Sequence, residues 1–180
     1  MLRTTPGSSI APLFVLLALL FGGFARTGQA QNNWSRYTPG TMGAVIQQHD
    51  SSIRADHAGK KGPALVVSGD DFPTRARVIY RGDSRPLDAK RREVLREWGL
   101  AFMRDTSVLA DFHREYLFHE GKRAMWLPVQ DSVASYFARE LKPGQPVTLY
   151  VIWAGAHYAG KDITWTFLVN EFKAETAATK

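Results

Sequence analysis

The chain has 180 residues, a formal net charge of +6 and no cysteine. The lack of cysteine excludes disulfide bonds, thiol catalysis, thiolate metal ligands and attachment of a lipid to an N-terminal cysteine. The length suits one ordinary domain with its own hydrophobic core.

Residues 1–30 show the order of features of a secretory signal peptide. Arg3 supplies positive charge, an apolar stretch covers residues 10–25, and the small residues Gly28 and Ala30 precede a cleavage point. A membrane anchor is the alternative, but a spanning helix needs about 20 apolar residues, and this stretch is shorter and interrupted by proline and glycine. The sequence therefore predicts cleavage after Ala30 and a periplasmic or secreted protein with no membrane span after the signal.

The rest of the chain is predicted to hold one domain between two less regular ends. Residues 31–62 are predicted to form an N-terminal extension, with a short helix over Thr41–His49. Residues 63–173 are predicted to form a single globular domain. Residues 174–180 are polar and rich in alanine and threonine, which predicts a frayed C-terminal tail.

The first half of the domain combines two strands with the clearest helix of the chain. Ala64–Ser68 is apolar, as expected of a buried strand, and Thr74–Tyr80 alternates between apolar and polar residues. Arg81–Ser84 has the composition of a turn. Leu87–Met103 carries apolar residues at helical spacing, which predicts an amphipathic helix.

The second half of the domain is predicted to hold a hairpin, a helix and a final strand pair. These elements are, in chain order, strand Arg114–His119, strand Lys122–Pro128, helix Asp131–Leu141, strand Val147–Ala154, loop Gly155–Lys161 and strand Ile163–Val169. A Glu-Gly turn favours the hairpin, and a Pro-Gly pair ends the helix. The regular alternation of the last strand indicates that one of its faces is buried.

About six short strands with two inserted helices predict an α+β fold. The pattern favours a small, twisted, mainly antiparallel sheet or a partly closed β-barrel of the OB-like or SH3-like kind. Such folds carry many functions, so the function has to be argued from candidate sites.

The basic residues of the chain are unevenly distributed. The segment from Arg54 to Arg104 holds twelve Lys and Arg against seven Asp and Glu. Its candidate binding residues are two from one exposed strand face and four from the polar side of the first long helix: Arg75, Arg77, Lys90, Arg91, Arg92 and Arg96. Together they would form a surface for phosphate or carboxylate groups, because arginine offers paired contacts to both. The alternative is a solvated helix face with interleaved acidic residues.

Two further groups of polar residues are weaker candidates. His113, Glu115 and His119 share one face of a predicted strand, but the two histidines would lie roughly 20 Å apart, too far for one metal ion, which favours a solvated polar face. The acidic pair Asp70-Asp71 follows an apolar strand and suits either acid–base chemistry or a turn.

The loop between the last two strands supplies the remaining candidate contacts. His157 and Tyr158 are predicted to lie in it, where they would be free to touch a ligand.

The sequence contains no recognisable catalytic or phosphate-binding motif. It therefore favours an exported, non-enzymatic binding or accessory domain of the cell envelope, without a metal or cofactor. Its expected partner is an anionic envelope polymer or a lipid head group, and the predicted export disfavours nucleic acid. The alternative is a metal-assisted or carboxylate-dependent hydrolase that acts outside the cytoplasm through Asp70, Asp71 or the histidines.

Overall fold

A computed structural model describes residues 34–70 and 72–175, so the predicted signal peptide, Asp71 and residues 176–180 lie outside the described residues. The strands are β1 (Thr38–Pro39), β2 (Ala64–Val67), β3 (Thr74–Pro86), β4 (Arg114–Glu120), β5 (Arg123–Val129), β6 (Pro146–Ala159) and β7 (Asp162–Ala174). The α-helices are α1 (Met42–His57), α2 (Ala89–Phe102), α3 (Asp131–Ala134) and α4 (Phe137–Glu140). Two 3-10 helices cover Trp34–Arg36 and Ser107–Asp111.

The seven strands form one mixed sheet that closes on itself in part. Five of them make a ring in the order β3-β4-β5-β7-β6, and β6 returns to pair with β3. All the ring pairings are antiparallel except that of β5 with β7, where Val129 lies beside Val169 in a short parallel contact. The α+β class and the partly closed barrel predicted from the sequence are therefore confirmed.

The two remaining strands lie at the margins of this ring. β1 pairs in parallel with the start of β3, and β2 pairs antiparallel with the end of β6. No helix among the described residues is long and apolar enough to span a membrane.

The interior of the ring is filled by the inward-facing residues of each strand. In β3 the buried and exposed residues alternate, with Ala76, Val78 and Tyr80 inside and Arg75 and Arg77 outside. This alternation follows from the two-residue period of a strand. Fully buried residues of other strands, such as Phe118, Leu149 and Phe167, complete the same core.

Helix α1 joins two turns of the sheet. Its first two amides, those of Met42 and Gly43, donate to the two carboxylate oxygens of Glu120 at 2.8 and 2.7 Å. Near its other end, Arg54 donates to the backbone oxygen of Lys161 at 2.9 Å. The helix is longer than the sequence predicted, and its buried residues Met42, Val45 and Ile53 belong to the core of the barrel.

Helix α2 covers the outer surface of β6 and β7. Asp88 caps its N-terminus by accepting from the amides of Lys90 and Arg91. Val94, Leu95 and Trp98 pack against Ile152, Ala154 and Leu168 in a second apolar core outside the barrel. This arrangement agrees with the amphipathic stripe of the sequence.

Three elements differ from the sequence-based expectation. The predicted turn at Arg81–Ser84 lies within β3 as an irregularity in its pairing with β4, and Gly82 has a φ of +87° there. The helix predicted over Asp131–Leu141 is divided into α3 and α4. The predicted loop Gly155–Lys161 is mostly strand, because β6 continues to Ala159 and only Gly160 and Lys161 form the turn.

Candidate functional site

A cavity of about 380 Å³ opens where the end of β3, the start of α2, and the first residues of β5 and β7 meet. We call it the arginine cavity. It is lined by the basic side chains Arg85, Lys90, Arg91 and Arg123, the acidic Asp88, and Ile46, Ala124, Met125, Trp126, Ile163, Thr164 and Trp165. Four cations against one carboxylate in the lining make it an electropositive cavity with apolar walls.

A buried carboxylate organises the arginines of this cavity. Glu115 is fully buried on the outer side of β4. The Nε of Arg85 donates to its Oε1, and Nη1 of Arg91 lies 3.2 Å from its Oε2. One carboxylate is thus shared by two guanidinium groups, and the three side chains carry one net positive charge.

Arg91 is the more deeply placed of the two arginines. Its side chain is 13% exposed, and its Nε also donates to the backbone oxygen of Trp165 at 3.3 Å. Burial lowers the pKa of the Arg91 guanidinium from its ordinary value, and the neighbouring Glu115 and Asp88 oppose that shift. Arginine stays protonated in proteins, so Arg91 is a cation that has lost much of its hydration.

Arg85 is held from two sides at the mouth of the cavity. Its guanidinium carbon lies 4.2 Å from the ring centroid of Trp126, a cation–π contact, while its Nε is bound to Glu115. Its side chain is 43% exposed. The Nη groups of Arg85 donate to no described residue, so these donors remain available at the cavity.

The chemistry of this arrangement is recognition of an anion. Arginine donors in a fixed geometry match carboxylate and phosphate oxygens, and partial exclusion of water strengthens such contacts. The tryptophan and isoleucine side chains offer an apolar wall for the rest of a ligand, and the cavity volume lies within the range of small-molecule sites.

The predicted basic residues occupy separate places in the structure. Lys90 and Arg91 line the arginine cavity, whereas Arg92 and Arg96 are exposed along α2, and Arg96 pairs with Glu97 at 2.7 Å. Arg75 and Arg77 line a different depression together with Thr148, Tyr150 and Lys173. The fold thus distributes the six residues over two sites and an exposed helix face.

His157 and Tyr158 lie within β6 and are buried, which corrects their predicted place in a loop. The Nδ1 of His157 has no hydrogen-bond partner among the described residues, and its Nε2 lies 3.9 Å from a carboxylate oxygen of Glu93. The ring of Tyr158 packs against that of His57. Both residues are held in the sheet by the same pairing that attaches β2.

The structure does not bring the other candidate residues together in one site. Glu115 was expected on a solvated strand face with His113 and His119, and it is buried because Arg85 and Arg91 cover it. His113 instead pairs with Asp131 at the surface. Within residues 34–70 and 72–175, no three His, Asp or Glu side chains are grouped closely enough to share a metal ion.

The sequence analysis predicted only some of the central residues of the arginine cavity as binding residues. Arg91 was identified as a candidate, but Arg85, Glu115 and Trp126 were not assigned to an anion site. Glu115 lies 30 and 24 residues from its two arginine partners along the chain, so no local spacing could connect them.

Comparisons with known proteins found no family model, no curated protein and no solved structure that matches the chain.

Proposed function

We propose that the protein is an exported binding domain that holds an anionic group of the cell envelope in the arginine cavity. The observation that carries the proposal is the sharing of one fully buried carboxylate, Glu115, between Arg85 and Arg91 at a cavity wall. A buried charged group is costly unless it is paired, and here two cations share one anion. A ligand anion supplies the missing negative charge.

The cavity lining indicates the character of the ligand. Arg85 and Arg91 would bind the acidic group, and the rim residues Lys90 and Arg123 add positive charge around it. Trp126 and Trp165 provide apolar surface for a non-polar part of the same molecule. An acidic group on an envelope polymer and a lipid head group share this chemistry, so both are proposed as sources of the ligand.

The site supports binding rather than bond cleavage. A hydrolase needs a nucleophile or an activated water beside a general base. Among the described residues that line the cavity, the carboxylate of Asp88 caps helix α2, and the other ionisable groups are cations. No observation on the described residues favours the hydrolase alternative.

The binding test uses variants of the cavity rim, since these exposed positions can change without unfolding the protein. Lys90→Gln combined with Arg123→Gln removes two positive charges from the cavity. Lys60→Gln combined with Lys61→Gln removes the same charge from an exposed link after α1 that lines neither depression, and it is the matched control. Phenyl phosphate, phosphatidylglycerol vesicles and cell-wall fragments serve as probes, the first by calorimetry and the others by sedimentation.

We expect the rim variant to lose about tenfold in affinity for phenyl phosphate, or about 1.4 kcal/mol, and the control to lose much less. Added salt should weaken binding to the parent, because the rim charges are exposed. Equal losses in the two variants, or absence of binding by the parent protein to all three probes, would contradict the proposal. The vesicle and cell-wall arms distinguish a lipid source from a polymer source.

Export is a separate part of the proposal, supported by the signal-like order of residues 1–30. We expect the protein in the non-cytoplasmic fraction to begin at or near Gln31. N-terminal sequencing measures this directly, and an intact Met1 in that fraction would overturn it.

A further inference from the structure

A second depression lies on the outer surface of the barrel, away from the arginine cavity. It has a volume of about 290 Å³ and is lined by Arg75, Arg77, Thr148, Tyr150 and Lys173; we call it the strand depression. Cross-strand pairing builds it, because Arg77 lies beside Thr148, which lies beside Lys173. It has no lining residue in common with the arginine cavity.

The carboxylate of Glu175 is bound by residues of the strand depression. Arg77 Nε lies 3.0 and 2.8 Å from its two oxygens, and Thr148 Oγ1 donates to one of them at 3.1 Å. The amide of Glu175 also donates to the backbone oxygen of Pro146 at 3.3 Å. Hydrogen bonds of both its main chain and its side chain thus hold Glu175 in this site.

The strand depression has more positive charge than this one glutamate uses. The side chains of Arg75 and Lys173 line it but make no hydrogen bond or ion pair with any described residue. Arg77 itself is 70% exposed, so its pair with Glu175 is open to water and weak enough to exchange. A carboxylate from another molecule can therefore replace Glu175 and gain the two unused cations.

We propose that the strand depression is a carboxylate-binding site for an acidic peptide segment of a partner protein, and that Glu175 occupies it in cis and competes with that segment. The present occupant shows that a glutamate on an extended chain fits the site. An acidic sugar is less suited, because the ring of Tyr150 is already packed against Trp34 and Tyr37 and offers little free face for stacking.

The chain offers a matched control for this competition. Glu171 lies beside Tyr150 in the sheet, but its carboxylate accepts from the amide of Phe172 and not from Arg77. Glu175→Gln and Glu171→Gln therefore remove the same charge from neighbouring positions, and only the first frees Arg77. A general electrostatic effect would raise the affinity of both variants alike.

The experiment titrates an N-acetylated, C-terminally amidated tetraglutamate peptide into the purified protein while NMR follows the Nε–H signal of Arg77. Because an exposed ion pair is worth little, we expect Glu175→Gln to bind the peptide about two- to fivefold more tightly than the parent, and Glu171→Gln to remain closer to the parent. In the free Glu175→Gln protein the Arg77 signal should shift, and the peptide should reverse that shift. Calorimetry, which does not depend on the Arg77 signal, should show that adding Arg77→Gln to this variant removes the gain in affinity.

Two results would overturn the proposal. The first is equal affinity of Glu175→Gln and Glu171→Gln, with no peptide effect on the Arg77 signal. The second is binding of tetragalacturonate to Glu175→Gln as tightly as tetraglutamate, which would assign the site to acidic glycans. The Arg77 signal and the difference in affinity between Glu175→Gln and Glu171→Gln do not depend on whether a ligand binds in the arginine cavity, so they test this proposal separately from the proposed function.

Discussion

Nη1 of Arg91 lies 3.2 Å from the fully buried carboxylate of Glu115, so a helix and a strand of the barrel are joined by opposite charges away from water. Removal of the carboxylate would leave the desolvated guanidinium without its main partner, since the oxygen of Trp165 and the more distant Asp88 compensate it only in part. We expect Glu115→Gln to lower the free energy of unfolding by about 3–5 kcal/mol, the cost of breaking a buried pair. Urea denaturation measures the change.

Arg85→Gln is the control for that substitution, because Arg85 is 43% exposed and water can replace its contact. We expect it to cost much less than Glu115→Gln. A loss below about 0.5 kcal/mol for Glu115→Gln, the ordinary range of surface changes, would show that the carboxylate contributes little to the fold.

The pairing of β6 with β7 shifts register between Trp153 and Gly155, and the close packing of Gly155 against β2 leads to a prediction. Gly155 has a φ of +148°, and a Cβ atom there would lie 2.1 Å from the backbone oxygen of Val66. Gly155→Ala should therefore displace β2 and destabilise the protein by more than about 4 kcal/mol, the range of severe steric changes. Thermal and urea denaturation test this.

Gly160→Ala is the matched control for Gly155→Ala, since Gly160 also has a positive φ but no atom within 4 Å of the added Cβ. It should cost about 1–2 kcal/mol, from the left-handed backbone alone. Similar losses in the two variants would show that β2 moves aside without cost.

The start of helix α1 depends on a side chain from the β4–β5 hairpin. Glu120 accepts from the amides of Met42 and Gly43, and these charge-assisted bonds also favour the helix dipole. We expect Glu120→Ala to reduce the free energy of unfolding by about 2 kcal/mol. Glu140→Ala, at an exposed position in α4, should change it little, and the two denaturation curves provide the comparison.

Tyr80 makes the stability of the barrel sensitive to alkaline pH. Burial raises the pKa of its phenol above the ordinary value, with smaller contributions from Tyr116 and Asp83. Because the folded state favours the neutral phenol, its contribution is complete below the unfolded pKa of about 10 and is lost as pH rises through the folded pKa.

We expect the unfolding midpoint of the parent to fall more steeply than that of Tyr80→Phe as the pH increases above about 10. Lysines and the other tyrosines titrate in both proteins, so their effect cancels in the difference between the two unfolding midpoints. Parallel curves of unfolding midpoint against pH for the parent and Tyr80→Phe would contradict the assignment of this pH dependence to Tyr80.

The local pattern of apolar and polar residues was sufficient to predict the elements that have one buried face. The alternation from Thr74 to Tyr80 located the first half of β3, and the apolar stripe over Leu87–Met103 located α2 within two residues. In both cases one face meets a core, so burial imposes a period that the sequence records. The class of the fold follows from these elements.

Pairing over long separations could not be predicted in the same way. The parallel contact of Val129 with Val169 closes the ring, and nothing in either strand alone specifies its neighbour. Gly155 suggested a loop, whereas it permits the close approach of β2 to a continuous strand. The burial of Glu115 likewise depends on two arginines that only the folded chain brings near.

The placement of α1 between Glu120 and Lys161 has a consequence for local opening of the molecule. Detachment of the helix releases both turns and uncovers Ile46, which lines the arginine cavity. Amide protons of α1 should therefore exchange with solvent in one step with those of the adjoining β4–β5 and β6–β7 turns. A molecule bound in the cavity would slow that shared exchange at residues it never touches, since it stabilises only the closed form.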